Sequence, residues 1–205
     1  MPSECETPDP PRKAMEVLGG NQWGDVYEVM TEKGVVVVGG GALTVGAAGG
    51  FLQGGGHSAN SPKLGLAVDS LLEADVVIAD GTLLTINKCW HTDLFWAIRG
   101  GGGGTFGIVT RAVYKAHEKE PNYFKFKGTL LGNMTDGQCP DCKEKVLRAY
   151  VDWMDWTYKY QPGSWAGYNN WKTIEIADDS QGWSGGAKYV VIDFSLLFFG
   201  EQADA

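Results

Sequence analysis

Gly102, Gly104 and Gly107, inside the run RGGGGGTFGIVT at residues 99–110, spell G-x-G-x-x-G. That spacing holds a pyrophosphate when a strand enters the turn and a helix leaves it, because the helix N-terminus then meets the negative charge. A second glycine cluster, Gly54-Gly55-Gly56, is followed at once by His57 and Ser58. Glycines in short clusters make tight turns and let a backbone approach a bound group closely. Cys139-Pro140-Asp141-Cys142 is a C-x-x-C. Zinc would need a second pair or a histidine cluster to complete four ligands, and none is present, so no metal site is expected and the segment reads as a loop able to close a local disulfide. Asn133-Met134-Thr135 is a glycosylation sequon, which matters only on a secreted chain.

The elements around Gly102 decide what the first motif does. Thr92 can cap a helix, DLFWAIR, that ends at Gly100, and FGIVTRAVYKA after the glycines is rich in β-branched and aromatic residues, as a strand is. The order is helix, glycines, strand. No acidic residue stands about twenty positions on at the end of a second strand, where a ribose would be held; Glu118 and Glu120 sit in a charged loop. The nicotinamide-dinucleotide reading fails on context.

Upstream, Asp25 and Glu28 fit a capping box and Gly34 a C-cap, so a helix is expected from about Val26 to Lys33, followed by a buried strand at Val35–Val38. Residues 39–58 carry turns too often for regular structure. DVVIA and TLLTI read as strands joined by a two-residue hairpin turn at Asp80-Gly81. Past Glu118 the glycines thin out and aromatics rise. PNYFKFKGTLLG alternates as a strand, and CKEKVLRAYVDWMDWTYKY is an amphipathic helix with Leu147, Tyr150, Val151, Met154 and Tyr158 on one face and Asp141 and Glu144 at its start. The aromatics at 153–158 read as packing residues. Two or three strands follow. The expected organisation is a disordered lead (1–13), a glycine-rich α+β region (14–118) and a second α+β region (119–205).

Composition narrows the function classes. Thirty of 205 residues are glycine, roughly twice the ordinary share, and most lie between Gly34 and Gly107. The net charge is −8 with no Lys/Arg cluster, so nucleic acid is not an expected partner. The longest apolar stretch, YVVIDFSLLFF, is interrupted by Asp193 and is too short to span a bilayer; no membrane is expected. MPSECETPDPPRK at the start is polar, acidic and proline-rich, unlike a signal peptide, and no compartment is assigned. Four cysteines in a chain of this length do not suggest a disulfide framework.

The ordered set GGGHS, GLAVD, VVIADG, DLFWAIRGGGGGTFG and IVT, spread from about Trp23 to Lys115, resembles the FAD-linked oxidases: the berberine-bridge-enzyme-like flavoproteins, with the vanillyl-alcohol-oxidase (PCMH) type of FAD-binding domain. Residues 119–205 resemble the opening of that family's substrate domain. The resemblance implies an α+β fold: the second subdomain of a PCMH-type FAD-binding domain, followed by the start of an α+β substrate domain with an antiparallel sheet. It implies FAD as cofactor, a small organic substrate that passes a hydride to flavin N5, and reoxidation by oxygen. The flavin carries that chemistry and the protein orients it.

By resemblance, Val45, Gly46, Gly49 and Gly50 lie along the cofactor, Gly54, Gly55, Gly56, His57 and Ser58 form a turn near the flavin, and the backbone of Ile108 and Val109 lies near the adenosine end. His57 reads equally as a polar neighbour of the flavin or as the cap of a turn. Asp69 reads as the holder of a backbone turn, and Arg99 as a local partner or helix-end cap.

Three departures stand out. Many members tether FAD through a cysteine in G-G-x-C-x-T-V-G; here GGGALTVG puts Ala42 at that position, so any FAD is expected to be non-covalent. The family's N-terminal FAD subdomain, with its pyrophosphate loop and its flavin-tethering histidine, has no counterpart here. The later strands of the substrate domain, which supply the catalytic base or tyrosine in most members, have none either, so no catalytic residue is assigned. A truncated chain is the expectation, a flavin-dependent oxidoreductase active as it stands or with a partner chain that supplies the missing half. The competing expectation is a non-catalytic remnant or interaction protein that keeps the fold. Relatives are often secreted.

Overall fold

The computed structural model describes residues 13–119, 123–133, 139–160, 165–176 and 187–199. The chain divides into two compact units, with the boundary after Lys119. The expected disordered lead falls on residues 1–12, outside the described residues, and Lys13 is already engaged: its carbonyl accepts from the Ala116 N–H at 2.8 Å.

The first unit is built on an antiparallel sheet of β1 (Ala14–Leu18), β5 (Ile108–Lys115), β3 (Leu71–Val77) and β4 (Leu83–Asn87), in that spatial order. Alternation along β3 and β5 puts Ala74, Val76, Ala112 and Tyr114 on the inner face, all fully buried. The outer face is polar. There Arg111 reaches Glu16 and Glu73 at 2.8 and 2.7 Å, and Asp75 at 3.4 Å, and ties three strands together.

Helix α1 (Trp23–Lys33) buries Trp23, Val26 and Met30. It begins three residues before the expected start, because Gln22 is the N-cap and its N–H donates to Asp25 Oδ2 at 2.9 Å. Asp25 is therefore the third helical residue, and Glu28 takes no part in the capping box. Gly34 closes the helix in the left-handed conformation, as its type suggests. The expected strand Val35–Val38 is paired only at β2 (Val35–Val36), opposite β6 (His117–Glu118). Val37 and Val38 are buried without belonging to a strand, so burial rather than strand pairing accounts for the second half of the run.

Short helices α2 (Gly50–Gln53) and α3 (Ser61–Leu64) punctuate the glycine-rich stretch, and a 3-10 turn at Ala67–Ser70 leads into β3. The β3–β4 connection is a three-residue loop, not a two-residue one: Ile78 N–H donates to Thr82 O and Gly81 N–H to Ile78 O, with Gly81 at φ +86. Helix α4 (Thr92–Ile98) is preceded by His91 in the left-handed conformation at φ 52; His91, not Thr92, is the N-cap residue.

The second unit is an antiparallel sheet of β7 (Tyr123–Asn133), β9 (Ala187–Phe199) and β8 (Trp165–Ile176), with β9 central, packed on helix α5 (Cys142–Tyr160). Val190 and Ile192 are buried in it. The helix face differs from the expected one. Val146 and Trp153 meet the sheet: a Cβ on Gly132 would lie 2.7 Å from Val146, and the Trp153 and Phe194 ring centroids are 5.9 Å apart. Leu147 and Tyr150 are half-buried, whereas Val151 and Met154 are exposed; the Tyr158 side chain lies outside what is described. The missing side chain of Gly132 sets the helix rotation. Cys139 and Cys142 form a disulfide, and Cys89 is disulfide-bonded as well. Among the described residues no cysteine is free, so Cys89, Cys139 and Cys142 all belong to bridges despite the chain's length.

Candidate functional site

Two glycine-rich segments of the first unit converge on α2. The first follows Val38 and crosses the ring of Trp23. A Cβ on Gly39 would stand 2.7 Å from that ring, which is wholly buried between Tyr27, Phe51 and Tyr114. Tyr27 donates its hydroxyl to the Gly40 carbonyl. The chain then wraps the start of α1: Trp23 N–H donates to Val45 O at 3.0 Å, Gly24 N–H to Leu43 O at 2.8 Å, and Ala47 N–H to Asn21 O at 3.0 Å. From the sheet, the buried Tyr114 hydroxyl donates to Ala47 O at 2.7 Å. Burial drives the ionisation of Tyr114 well above that of an ordinary tyrosine, so it remains a donor throughout the neutral range.

The second segment is the glycine run. Gly102 N–H donates to Gln53 O at 2.9 Å, and a Cβ on Gly103 would stand 3.4 Å from the Gly50 Cα. Gly102 and Gly104 have φ of +98 and +72, which L side chains rarely adopt. At the end of the run a Cβ on Gly107 would lie 2.6 Å from Val76 Cγ1, so the run is pressed onto β3. Arg99, which closes α4, lies over the Phe95 ring at 4.7 Å, a local partner.

The structure thus brings Gly49, Gly50 and Gln53 together with Gly102 and Gly103. Nothing stands within 4 Å of where a Cβ would be on Gly41, Gly46, Gly49, Gly50 or Gly104. Val45 is exposed beside Gly46. Gly54, Gly55 and Gly56 form a turn pinned to the Ala67–Ser70 turn: Ala67 N–H donates to Gly56 O at 2.9 Å, and a Cβ on Gly56 would collide with that of Ala67. Ser58 is buried and works in its own turn, its N–H bonded to Ser61 Oγ and its Oγ accepting from Asn60 N–H. His57 is exposed. Asp69 Oδ2 accepts from Leu66 N–H at 2.8 Å and holds a turn. Ile108, 69% exposed, and Val109, buried, pair with Val77 and Val76, just past Gly107.

Reading by motif passes over the residues that brace this strip: Trp23, Tyr27, Tyr114 and Gln53. Gln53 is 4% exposed and its Oε1 has no hydrogen-bond partner, nor does Trp23 Nε1. A polar residue directly before three glycines is the available signal for Gln53.

Residues 39–56 and 100–107 contain no charged side chain. A strip of open backbone without charge fits a flat, neutral, polar-edged group, whose edges backbone N–H groups can meet. Among the described residues, no group of three or more His, Cys, Asp or Glu side chains could hold a metal ion, and no helix is long and apolar enough to cross a membrane. In the second unit, Asp193 accepts from Thr129 Oγ1 at 2.8 Å and lies 3.4 Å from Lys172 Nζ. These contacts, the first above all, hold its carboxyl below the usual range. Lys127, Asn170, Phe194 and Ser195 line an open groove of about 510 Å³ there.

Known proteins match this architecture. Residues 6–87 match the family model described as an FAD binding domain. The chain is 52% identical over 109 residues to the FAD-linked oxidoreductase easE of Aspergillus fumigatus, covering 53% of this chain and 17% of that protein. It is 39% identical over 160 residues to an uncharacterized FAD-linked oxidoreductase of Arthroderma benhamiae, covering 78% of this chain and 27% of that protein. Among solved structures, the VAO-type flavoprotein MtVAO713 of Myceliophthora thermophila C1 aligns with a TM-score of 0.72 at 29% identity, over 93% of this chain and 32% of that one. Berberine bridge enzyme of Eschscholzia californica shares the fold, with a TM-score of 0.72 at 22% identity, over 94% of this chain and 34% of that one. The chain therefore spans about a third of these structures and less of the curated relatives. The antiparallel α+β architecture is that of the PCMH-type flavoproteins. On its motifs, its fold and these matches, the chain is similar to the FAD-linked oxidoreductases and to flavoproteins of the vanillyl-alcohol-oxidase and berberine-bridge-enzyme fold, of whose length it spans a part.

Proposed function

We propose that this chain forms one wall of a non-covalent FAD site in an oxidoreductase acting on a small organic substrate. The observation that carries the reading is the meeting of Gly50 and Gln53 with Gly102 and Gly103, beside five glycines with open space where side chains would stand. When bound, FAD supplies acceptance of a hydride at its N5 and delivery of the electrons to oxygen. The chain's own part is positional. Val45, Gly46, Gly49 and Gly50 offer backbone to the cofactor, Gly54 to Ser58 bound its ring end, and Ile108 and Val109 line its adenosine end. Tyr27 and Tyr114 fix the loop that carries the first of these through its Gly40 and Ala47 carbonyls. Ala42 leaves no sulfur for a thioether, which is why the reading is non-covalent. The opposite wall comes from further protein, in the same chain or a partner.

The test is direct. The purified chain is mixed with FAD, passed through gel filtration, and its flavin absorbance recorded. Yellow protein, releasing all its flavin on acid denaturation, supports the reading. Colourless protein would sink stand-alone binding and favour the remnant that keeps the fold without the cofactor.

A further inference from the structure

We propose that the Cys139–Cys142 bridge is an exchangeable thiol–disulfide site that reacts with small thiols of the glutathione type while the chain stays folded. Four observations converge on it. The bridge closes a sequence separation of only three residues, so it restrains the unfolded chain less than a long-range bridge and can open without loss of the fold. Both cysteines are only half-buried, at a surface corner with the exposed Asp141 and Lys145, so a small thiol can reach the sulfurs. Cys142 is the first residue of α5, a helix of 19 residues, where a sulfur anion is stabilised by the positive end of the helix dipole. Asp141 Oδ1 lies 3.5 Å from Cys139 Sγ, and Asp141 is kept ionised by Lys145, whose Nζ is 2.9 Å from its other oxygen.

This asymmetry assigns a role to each sulfur. An incoming thiolate attacks Cys139 Sγ. The Cys139–Cys142 bond breaks, its electron pair leaves on Cys142, and a mixed disulfide stands on Cys139. A second thiolate then attacks the small-molecule sulfur of that mixed disulfide, releasing Cys139 as a thiolate, which takes a proton and can donate its S–H to Asp141. In sum, the protein disulfide and two thiols give a protein dithiol and one small-molecule disulfide: the protein is reduced by two electrons and the thiols are oxidised. Cys142 leaves because the helix end favours its anion; Cys139 keeps the adduct because a neighbouring carboxylate disfavours its own.

The test uses the full chain in glutathione redox buffers, trapped by alkylation and mapped by peptide mass spectrometry, with circular dichroism to monitor the fold. The expected result is labelling of Cys139 and Cys142 in folded protein and, under limiting glutathione, a single adduct on Cys139. In single variants, Cys142 in C139S should react with a maleimide roughly tenfold faster than Cys139 in C142S at neutral pH. Labelling of the pair only in denaturant, an adduct placed on Cys142, or equal or inverted rates in the two variants would overturn the proposal.

Discussion

The N–H of Gly102 donates to the carbonyl of Gln53 at 2.9 Å, joining two glycine-rich segments about fifty residues apart in the chain. Next to that bond, Gly103 and Gly50 approach so closely that a Cβ on the former would stand 3.4 Å from the Cα of the latter. The glycines therefore serve two separable purposes, close packing of the protein on itself and open backbone toward a ligand, and substitutions can tell them apart.

Gly39 belongs to the packing class. Alanine there would set a Cβ 2.7 Å from the ring of the fully buried Trp23, which has no room to withdraw. Overpacking of this kind costs about 1–3 kcal/mol. Chemical denaturation of G39A should show a lowered midpoint of that size with an unchanged slope.

Tyr114 is tested by Y114F, which strands the buried Ala47 carbonyl at a cost of about 1–3 kcal/mol. The same substitution has a signature in pH. Burial raises the ionisation of Tyr114 above the ordinary tyrosine value near 10, so its contribution is complete below that pH and is lost as pH rises beyond it. Thermal unfolding between pH 9 and 11 should fall more steeply for the native chain than for Y114F.

His117 runs in the opposite sense. Burial first, and Lys115 second, lower its pKa, and its Nε2 lies 3.3 Å from the buried Ser70 hydroxyl. A depressed histidine is held neutral by the fold, so its stability is present above the ordinary value of about 6.5 and declines as pH falls below it. H117Q should flatten the loss of stability between about pH 7 and 5, measured by urea denaturation at each pH.

Arg111 meets Glu16, Glu73 and Asp75 on the outer sheet face while remaining partly exposed. R111M leaves three carboxylates facing one another. Solvent screening limits the loss to about 1–2 kcal/mol, and part of it should be recovered in 1 M salt, where the Debye length is about 3 Å. A loss that does not respond to salt would assign the effect to packing of the arginine stem.

Local chemistry was readable where one residue type settles the matter. Gly34 ends a helix because it tolerates the left-handed conformation, and the helix-glycine-strand order around Gly102 by itself excludes a nicotinamide-dinucleotide turn. Long-range partners were not readable. Gln22 is an uncommon N-cap, so the sequence points to Val26 rather than Trp23 as the start of α1. Val37 and Val38 look like strand residues because they are apolar, yet they are buried without strand pairing. The rotation of α5 follows from Gly132, a strand residue that leaves room for Val146, and nothing in the helix itself records that. The site shows the same division. Its glycines were visible as a composition, but the pairing of Gly50 with Gly103 and the bracing by Trp23, Tyr27 and Tyr114 exist only after folding.

The central claim is that the open glycines face FAD, and Gly50 isolates it. Space is open at its Cβ position, and it lies in the four-residue helix α2 without a left-handed φ, so G50V should fold with stability close to that of the native chain. Equilibrium titration of FAD into both proteins, followed by flavin fluorescence, is the decisive measurement. The account predicts saturable binding by the native chain and at least tenfold weaker binding by G50V at matched stability. Equal affinity in the two proteins, or no saturation by the native chain, would contradict it.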